Sequence, residues 1–272
     1  MLNFKAKQIE LYSGILIVLT FAIIGFLANF IMTYEPDSIS LLERLKPINH
    51  AHLLGTDEMG RDIFSRIIYG IRYAFIVIFL VSAISAPIGF VVGLFAGYYQ
   101  GYIGLLLMRF TDIILAFPRL ILALTFVAVL GPGLSNAIIA LGLTVWASYA
   151  RFTRSYVLAI KQKEFITALQ LQGATDLRIM FKHIMPLCLE PLFVQISLDM
   201  SGFMLAVAGL GFLGLGAQPP TPEWGTMISS ARDYGFEHWW VFTFPGIAIV
   251  LLSLGFNLIG EGLRYKLDPR SI

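Results

Sequence analysis

The chain has 272 residues, 57% hydrophobic and 13% charged, with a formal net charge of +2. A soluble domain carries about 25% charged residues, so this composition excludes a water-soluble fold and makes lipid the solvent. The one cysteine, Cys188, excludes an internal disulfide framework and a cysteine-based metal cluster; it lies in an apolar run and reads as a small packing residue.

A bilayer core about 30 Å thick needs about 20 apolar residues in a helix. Leu11–Tyr34 is free of charge and longer than the about 7–15 residues of a signal-peptide core, so it reads as a retained first span over about 11–32. His50-x-His52 near Asp57 is an incomplete metal site, two histidines and one carboxylate, and no metal is expected. The segment reads as a solvated loop leading into an interfacial helix. Thr56 or Asp57 stands near its start, and Ile63, Phe64, Ile67, Ile68 and Ile71 form its apolar face. From Arg72 to Arg109 there is no charge, too long a stretch for one helix; glycines over Gly97–Gly104 break it into a hairpin. Span two is then about 73–96 and span three about 105–130. Gly89, Gly93, Gly97 and Gly101 recur every four residues and form a smooth ridge for close helix packing. Gly131-Pro132-Gly133 closes span three. Spans four, five and six follow over about 135–157, 187–215 and 240–260, in a single transmembrane domain, 1–272. Lys5, Lys7, Arg151, Arg154, Lys161, Lys163, Arg178, Lys182, Arg264, Lys266 and Arg270 fall on one face, and their excess makes that face, with both termini, cytoplasmic.

The cytoplasmic segment 161–186 carries the strongest signal. Residues 161–172 suit a helix with Phe165, Ala168, Leu169 and Gln172 on one face, ended by Gly173. Thr175 or Asp176 can cap a second short helix with its side-chain oxygen. Leu177, Met180, Phe181 and Ile184 then form an apolar stripe, and Pro186 stops or kinks the helix at the membrane surface. Two readings of the stripe stand: a docking face for another protein, or a face folded back on the chain's own membrane side.

Among ionisable residues in or near spans, Arg109 and Asp112 are spaced for a snorkelling ion pair, while Glu190 and Glu261 lie near span ends. Arg119 and Asp199 lie deeper, and each either lines a pathway or pairs internally; Pro118 frees a carbonyl that Arg119 can bond instead. Gln218-Pro-Pro-Thr-Pro222-Glu223-Trp224 is a stiff outer loop, either a gate or receptor-docking surface or a plain interfacial anchor. Gly209-Leu-Gly211-Phe-Leu-Gly214 matches a dinucleotide pattern, but it lies in an apolar run with no preceding strand. No Gly-x4-Gly-Lys-Ser/Thr occurs, so the chain lacks a phosphate cradle for ATP.

Thr167-Ala168-Leu169, three residues, Gly173, nine residues and His183-Ile184-Met185-Pro186 reproduce the spacing of the cytoplasmic signature of binding-protein-dependent ABC importer permeases. Thr167, Leu169, His183 and Met185 depart from its usual residues. His52 through Arg66, Phe212 through Thr226, and Asn257 with Leu267-Asp268-Pro269 resemble signatures of the dipeptide, oligopeptide and nickel branch, in order along nearly the whole chain.

The resemblance implies an all-α, type I permease with six transmembrane helices and a coupling helix between spans four and five. Thr167, Ala168, Leu169, Gly173, Asp176, Leu177, Phe181 and Pro186 would then touch the ATPase. Arg119, Asp199, Asp112 and Met204 are pathway candidates. Asp57, Arg61, Pro222, Glu223 and Trp224 are candidates for an outer gate or receptor docking. The chain would be a non-catalytic subunit in a bacterial inner membrane with no cofactor of its own, ATP and Mg being bound by the partner ATPase. Its partners would be a second homologous permease, two ATP-binding subunits, an extracytoplasmic binding protein and lipid, with no nucleic acid. Cargo is nickel or a nickel chelate, or di- and oligopeptides; Trp146–Arg151, Leu198-Asp199 and Met204–Gly209 tilt toward nickel. The alternative is a secondary transporter or channel that works without an ATPase.

Overall fold

The computed structural model describes residues 2–267, with side chains described from residue 8 to residue 266. The charges at Lys5, Lys7 and Arg270 and the Leu267-Asp268-Pro269 match fall wholly or partly outside the described side chains. The described chain is helical, and its one β-type contact is an isolated bridge between Thr56 and Asp62.

Helix α1 spans Leu2–Phe26 and continues as the short α2, Ala28–Ile31; α3 is Ile63–Tyr99, α4 Gly101–Leu115, α5 Arg119–Leu130 and α6 Leu134–Lys161. Then come α7, Glu164–Leu171; α8, Asp176–Arg178; a wide π-helical turn, Ile179–Ile184; α9, Met185–Phe212; α10, Trp224–Ser230; and α11, Trp240–Leu267. Four segments are long and apolar enough to cross a membrane, and the bent pair α4–α5 makes a fifth if counted as one crossing.

The expected interfacial helix and span two are one helix of 37 residues, α3. At 1.5 Å per residue it is about 55 Å long, so it outlasts the bilayer at both ends. Its cap is Asp62 rather than Thr56 or Asp57: the carboxylate accepts from Ser65 N at 2.8 Å and Ser65 Oγ at 2.7 Å. The turn between α3 and α4 is tighter than the glycine run suggests, using only Gln100 (φ 46°) and Gly101 (φ 45°). Gly97 stays helical because it is committed to packing. With Gly89 and Gly93 it leaves α3 bare along α6, where an added Cβ would strike Trp146 and Tyr149, Ala150 and Thr153, or Val157. Gly101 has open space beside it and belongs to the turn.

Span three is not straight. At Ala116–Pro118 the chain bends by 87°. Proline has no N–H to donate and forces the preceding residue out of helical geometry, so α4 ends and α5 restarts with Arg119 in its first turn. Helix α6 lies at the centre of one core cluster, with Leu141, Val145, Tyr149 and Val157 fully buried among residues of α3, α5 and α9. A second cluster gathers α1, α10, α11, the N-terminal half of α3 and the C-terminal part of α9 around Trp224, Leu252 and Phe256.

Candidate functional site

The segment between α6 and α9 forms an elbow whose turn is set by local chemistry. Gly173 adopts φ 80°, Ala174 N donates to Leu169 O at 3.1 Å and Gly173 N to Gln170 O at 3.0 Å, the paired bonds of a glycine-terminated helix. Thr175 starts α8 without a side-chain cap bond, contrary to expectation. Asp176 is instead engaged elsewhere, its Oδ1 accepting from Tyr98 Oη at 2.6 Å. Lys161 donates to the Tyr98 carbonyl at 2.6 Å and lies 4.9 Å from the Tyr98 ring centroid. Phe181 packs edge-on against Phe95 with ring centroids 6.5 Å apart. The second arm and the end of α6 that leads into the first are thereby tied to the C-terminal end of α3.

The apolar stripe divides between the two readings. Met180, Ile184 and the neighbouring Ile179 are fully buried in the chain's own core, as is Ile166 of α7. Leu177 is 56% exposed, Phe181 45% and Leu171 85%. Thr167, Ala168, Gly173, Asp176 and Pro186 are exposed, and Leu169 is partly buried. Pro186 does not stop the second arm: Asp176–Phe212 runs as one helical segment. Pro186 stands at its start, next to the widened turn, where a missing N–H is tolerated. The second arm is the beginning of the long apolar segment Asp176–Phe212.

On the opposite side, two segments far apart in sequence fold into one unit. Trp224 Nε1 donates to Ile67 O at 3.2 Å, Trp240 Nε1 to Thr56 O at 3.4 Å, and Arg66 Nη2 to Pro220 O at 3.2 Å. Gly70 leaves room for Pro222 and Trp224. Arg61 Nε pairs with Asp57 Oδ2 at 2.7 Å, and Asp57 Oδ1 accepts from the main chain of Met59 and Arg61 at 2.9 Å each. Glu223 caps α10, accepting from Gly225 N at 2.9 Å and Thr226 N at 2.8 Å. Burial pushes its carboxyl above the ordinary value, and these bonds partly offset the shift.

Asp57, Arg61, Pro222, Glu223 and Trp224, the candidates for an outer gate or receptor docking, are buried within the chain. Nor is the 44–62 loop simply solvated. His52 is buried, with Nδ1 2.9 Å from Asp62 and Nε2 2.9 Å from Glu43. Burial alone would lower its pKa, but the bonds to Asp62 and Glu43 more than reverse this and raise it. Glu43 is shifted down, first by His52 and then by Lys46. No group of three or more ligating side chains among the described residues is arranged to hold a metal ion. The dinucleotide-like glycines serve packing: Gly211 makes room for Glu223 and Thr226, and Gly214 turns the chain with φ 78°.

Of the pathway candidates, Met204 is buried in the second core cluster. Asp112 pairs with Arg151 at 2.7 Å, not with Arg109, because α6 brings a partner from outside the helix. Arg119 is exposed and makes no carbonyl bond at the Pro118 break; Asp199 is half-buried. Sequence reasoning missed Tyr98, Arg151, Glu43 and the His52–Asp62 contact. Their partners lie on other elements, so no local spacing announces them.

Residues 89–272 match the model for "Binding-protein-dependent transport system inner membrane component". The chain is 49% identical over 263 residues to the dipeptide transport system permease protein DppC of Escherichia coli K12, covering 94% of this chain and 88% of that one. It is 43% identical over 263 residues to the di/tripeptide transport system permease protein DppC of Pseudomonas aeruginosa UCBPP-PA14, covering 94% and 87%. It is 39% identical over 267 residues to the probable D,D-dipeptide transport system permease protein DdpC of E. coli K12, covering 98% and 89%. These names speak of peptides, and nothing in them supports the tilt toward nickel. The chain belongs to the inner membrane components of binding-protein-dependent transport systems, as an ABC importer permease of the peptide family.

Proposed function

We propose that this chain is one transmembrane half of a di- or tripeptide importer, and that its elbow docks an ATP-hydrolysing subunit. The observation that carries the docking is the set of exposed apolar side chains Leu171, Leu177 and Phe181 on a support fixed by Tyr98, Asp176 and Lys161. Water-facing apolar groups on a rigid mount form a surface prepared for burial against another protein. In this reading Thr167, Ala168, Gly173 and Pro186 border the contact. A second homologous permease completes the pathway, two ATPase subunits bind ATP and Mg, and an external binding protein delivers peptide. Both termini lie in the cytoplasm.

The chain crosses the membrane six times, with α4–α5 as one broken crossing and α6 as another. Helix α6 tolerates its polar residues because α3, α5 and α9 surround much of it. ATP-driven closure of the ATPases moves the elbow. Because the second arm is tied to α3 and continues into α9, the motion passes into the spans as a rigid displacement.

Leu177→Asp tests the docking. Burying a leucine contributes about 1.5–3 kcal/mol, so the variant should fold normally yet retain about a tenth or less of the co-purifying ATPase. Unchanged co-purification and unchanged peptide uptake would remove the docking claim. Uptake by the permease pair without any ATPase would remove the importer mechanism.

A further inference from the structure

Helices α1 and α3 come together at Gly25, where an added Cβ would strike Ile71 of α3. Beside that contact a groove of about 830 Å³ opens between them. Ile15, Leu19 and Ala22 line it on α1, and Phe75, Ile76 and Phe79 on α3. Arg72 is the charged residue in its wall and stands with Gly25 and Phe26 at one end. Ile259 of α11 lies at the other end, packed where Gly14 leaves room next to Ile15. Ile15, Leu19, Phe26, Ile76 and Phe79 are all exposed, so the groove is open to the side.

Arg72 Nε donates to Gly25 O at 2.8 Å and Nη2 to Phe26 O at 3.3 Å, carbonyls left open at the end of α1. Its Nη1 makes no hydrogen bond among the described residues. Arg61 and Arg66 both meet the carboxylate of Asp57, whereas Arg72 meets no carboxylate among the described residues. Its charge is therefore uncompensated within the described chain. Tyr69, with its ring centroid 5.0 Å from the guanidinium carbon, and Tyr73, 6.0 Å from Tyr69, stand beside it. Tyrosines of this kind gather at the membrane interface, which sets Arg72 at headgroup level. From Phe26 to Ile15 the groove follows α1 for about 16 Å, close to half of a bilayer core about 30 Å thick.

A groove that is apolar for the depth of one leaflet and cationic at the interface fits a phospholipid, a thin chain with an anion at its end. Arginine suits a phosphate because its planar fork presents several donors at once. With no carboxylate to neutralise Arg72, a lipid of net negative charge is favoured over a zwitterionic one. A helix from another protein is about 10 Å across and would have to bring its own acidic side chain to this depth, which is costly. The geometry points to a binding site for one anionic phospholipid between α1 and α3. Its phosphate rests on Arg72 Nη1, and one acyl chain lies along the groove as far as Ile259. The site is remote from the elbow and does not depend on the cargo.

The test places the full transporter in nanodiscs of equal parts phosphatidylglycerol and phosphatidylethanolamine and reads the lipids it retains by native mass spectrometry. Wild type should keep phosphatidylglycerol in preference to phosphatidylethanolamine. Arg72→Gln should hold phosphatidylglycerol about tenfold or more weakly, the loss of one charge-assisted hydrogen bond. Because Arg72 also closes the end of α1, Ala22→Phe supplies an independent variant: it fills the groove, leaves Arg72 in place and should lose the same lipid. Equal retention of the two lipids by wild type, or unchanged retention in Ala22→Phe, would overturn the site. With Cys188 buried, a diazirine carried on Leu19→Cys should capture phospholipid in the full transporter. Capture of the second permease instead would show that a protein helix fills the groove and would overturn the proposal as well.

Discussion

The two ends of the molecule solve opposite problems. The unit built from residues 32–66 and the chain around α10 buries His52, Asp57, Arg61, Asp62, Arg66, Glu223 and Trp224, while Leu41, Leu42 and Phe236 face outward. The elbow holds its polar anchors against α3 and leaves Leu171, Leu177 and Phe181 exposed. Buried ion pairs and main-chain caps resist rearrangement, whereas apolar groups on a rigid mount are a surface suited to burial against another protein. The first unit is braced by its buried ion pairs, and the elbow, in the proposed function, is the association surface.

Substitutions that strike one end should leave the other untouched. The largest expected effect is Asp57→Ala, which leaves Arg61 and Arg66 short of their buried carboxylate and should destabilise the first unit by about 3–5 kcal/mol. Thermal unfolding of the purified permease should show this as a lowered transition, with hydrogen exchange in the elbow unaltered below it. Next is Tyr98→Phe, which removes the hydroxyl bond to Asp176 and should cost about 1.5 kcal/mol locally. Hydrogen exchange over 164–178 should accelerate about tenfold while that of 52–66 stays constant. Equal acceleration at both ends would deny that they are separate units.

The smallest effect is pH-dependent. His52 has its pKa raised in the folded chain, so its stabilisation is fully present below the ordinary histidine value of about 6.5 and is lost as pH climbs through the raised value. Glu43, shifted down, contributes above the ordinary carboxylate range and loses that contribution as pH falls through its lowered value. The difference in melting temperature between the parent and His52→Gln should therefore narrow as pH rises from about 6 to about 9. A constant difference would show that His52 acts by packing alone.

Apolar run lengths revealed four of the long helices, because lipid tolerates little else along a lipid-facing span. The glycine spacing of α3 revealed its contact with α6 at Gly89, Gly93 and Gly97, since only close backbone approach uses that repeat. The break at Pro118 was not read, because the apolar run over 105–130 continues through it, and the 87° angle depends on what α5 packs against. At the elbow, Gly173 was readable as a helix end. Which half of the stripe would be buried was not, because Met180 and Leu177 are equally apolar and only the position of α3 tells them apart. The outer motifs stood out as residues, but their inward orientation required Trp224 and Ile67 to meet across a separation of 157 positions.

The central claim is that the elbow's exposed apolar face is covered by an ATP-hydrolysing subunit. Cys188, the only cysteine in the chain, is buried, so a cysteine placed at Leu177 can be followed with little background. The direct measurement is the rate at which Leu177→Cys reacts with a membrane-impermeant maleimide applied to the cytoplasmic face. Reaction should be fast for the permease pair alone and about tenfold slower once the ATPase subunits are bound. Equal rates in the two states, or labelling only from the outer face, would contradict the account.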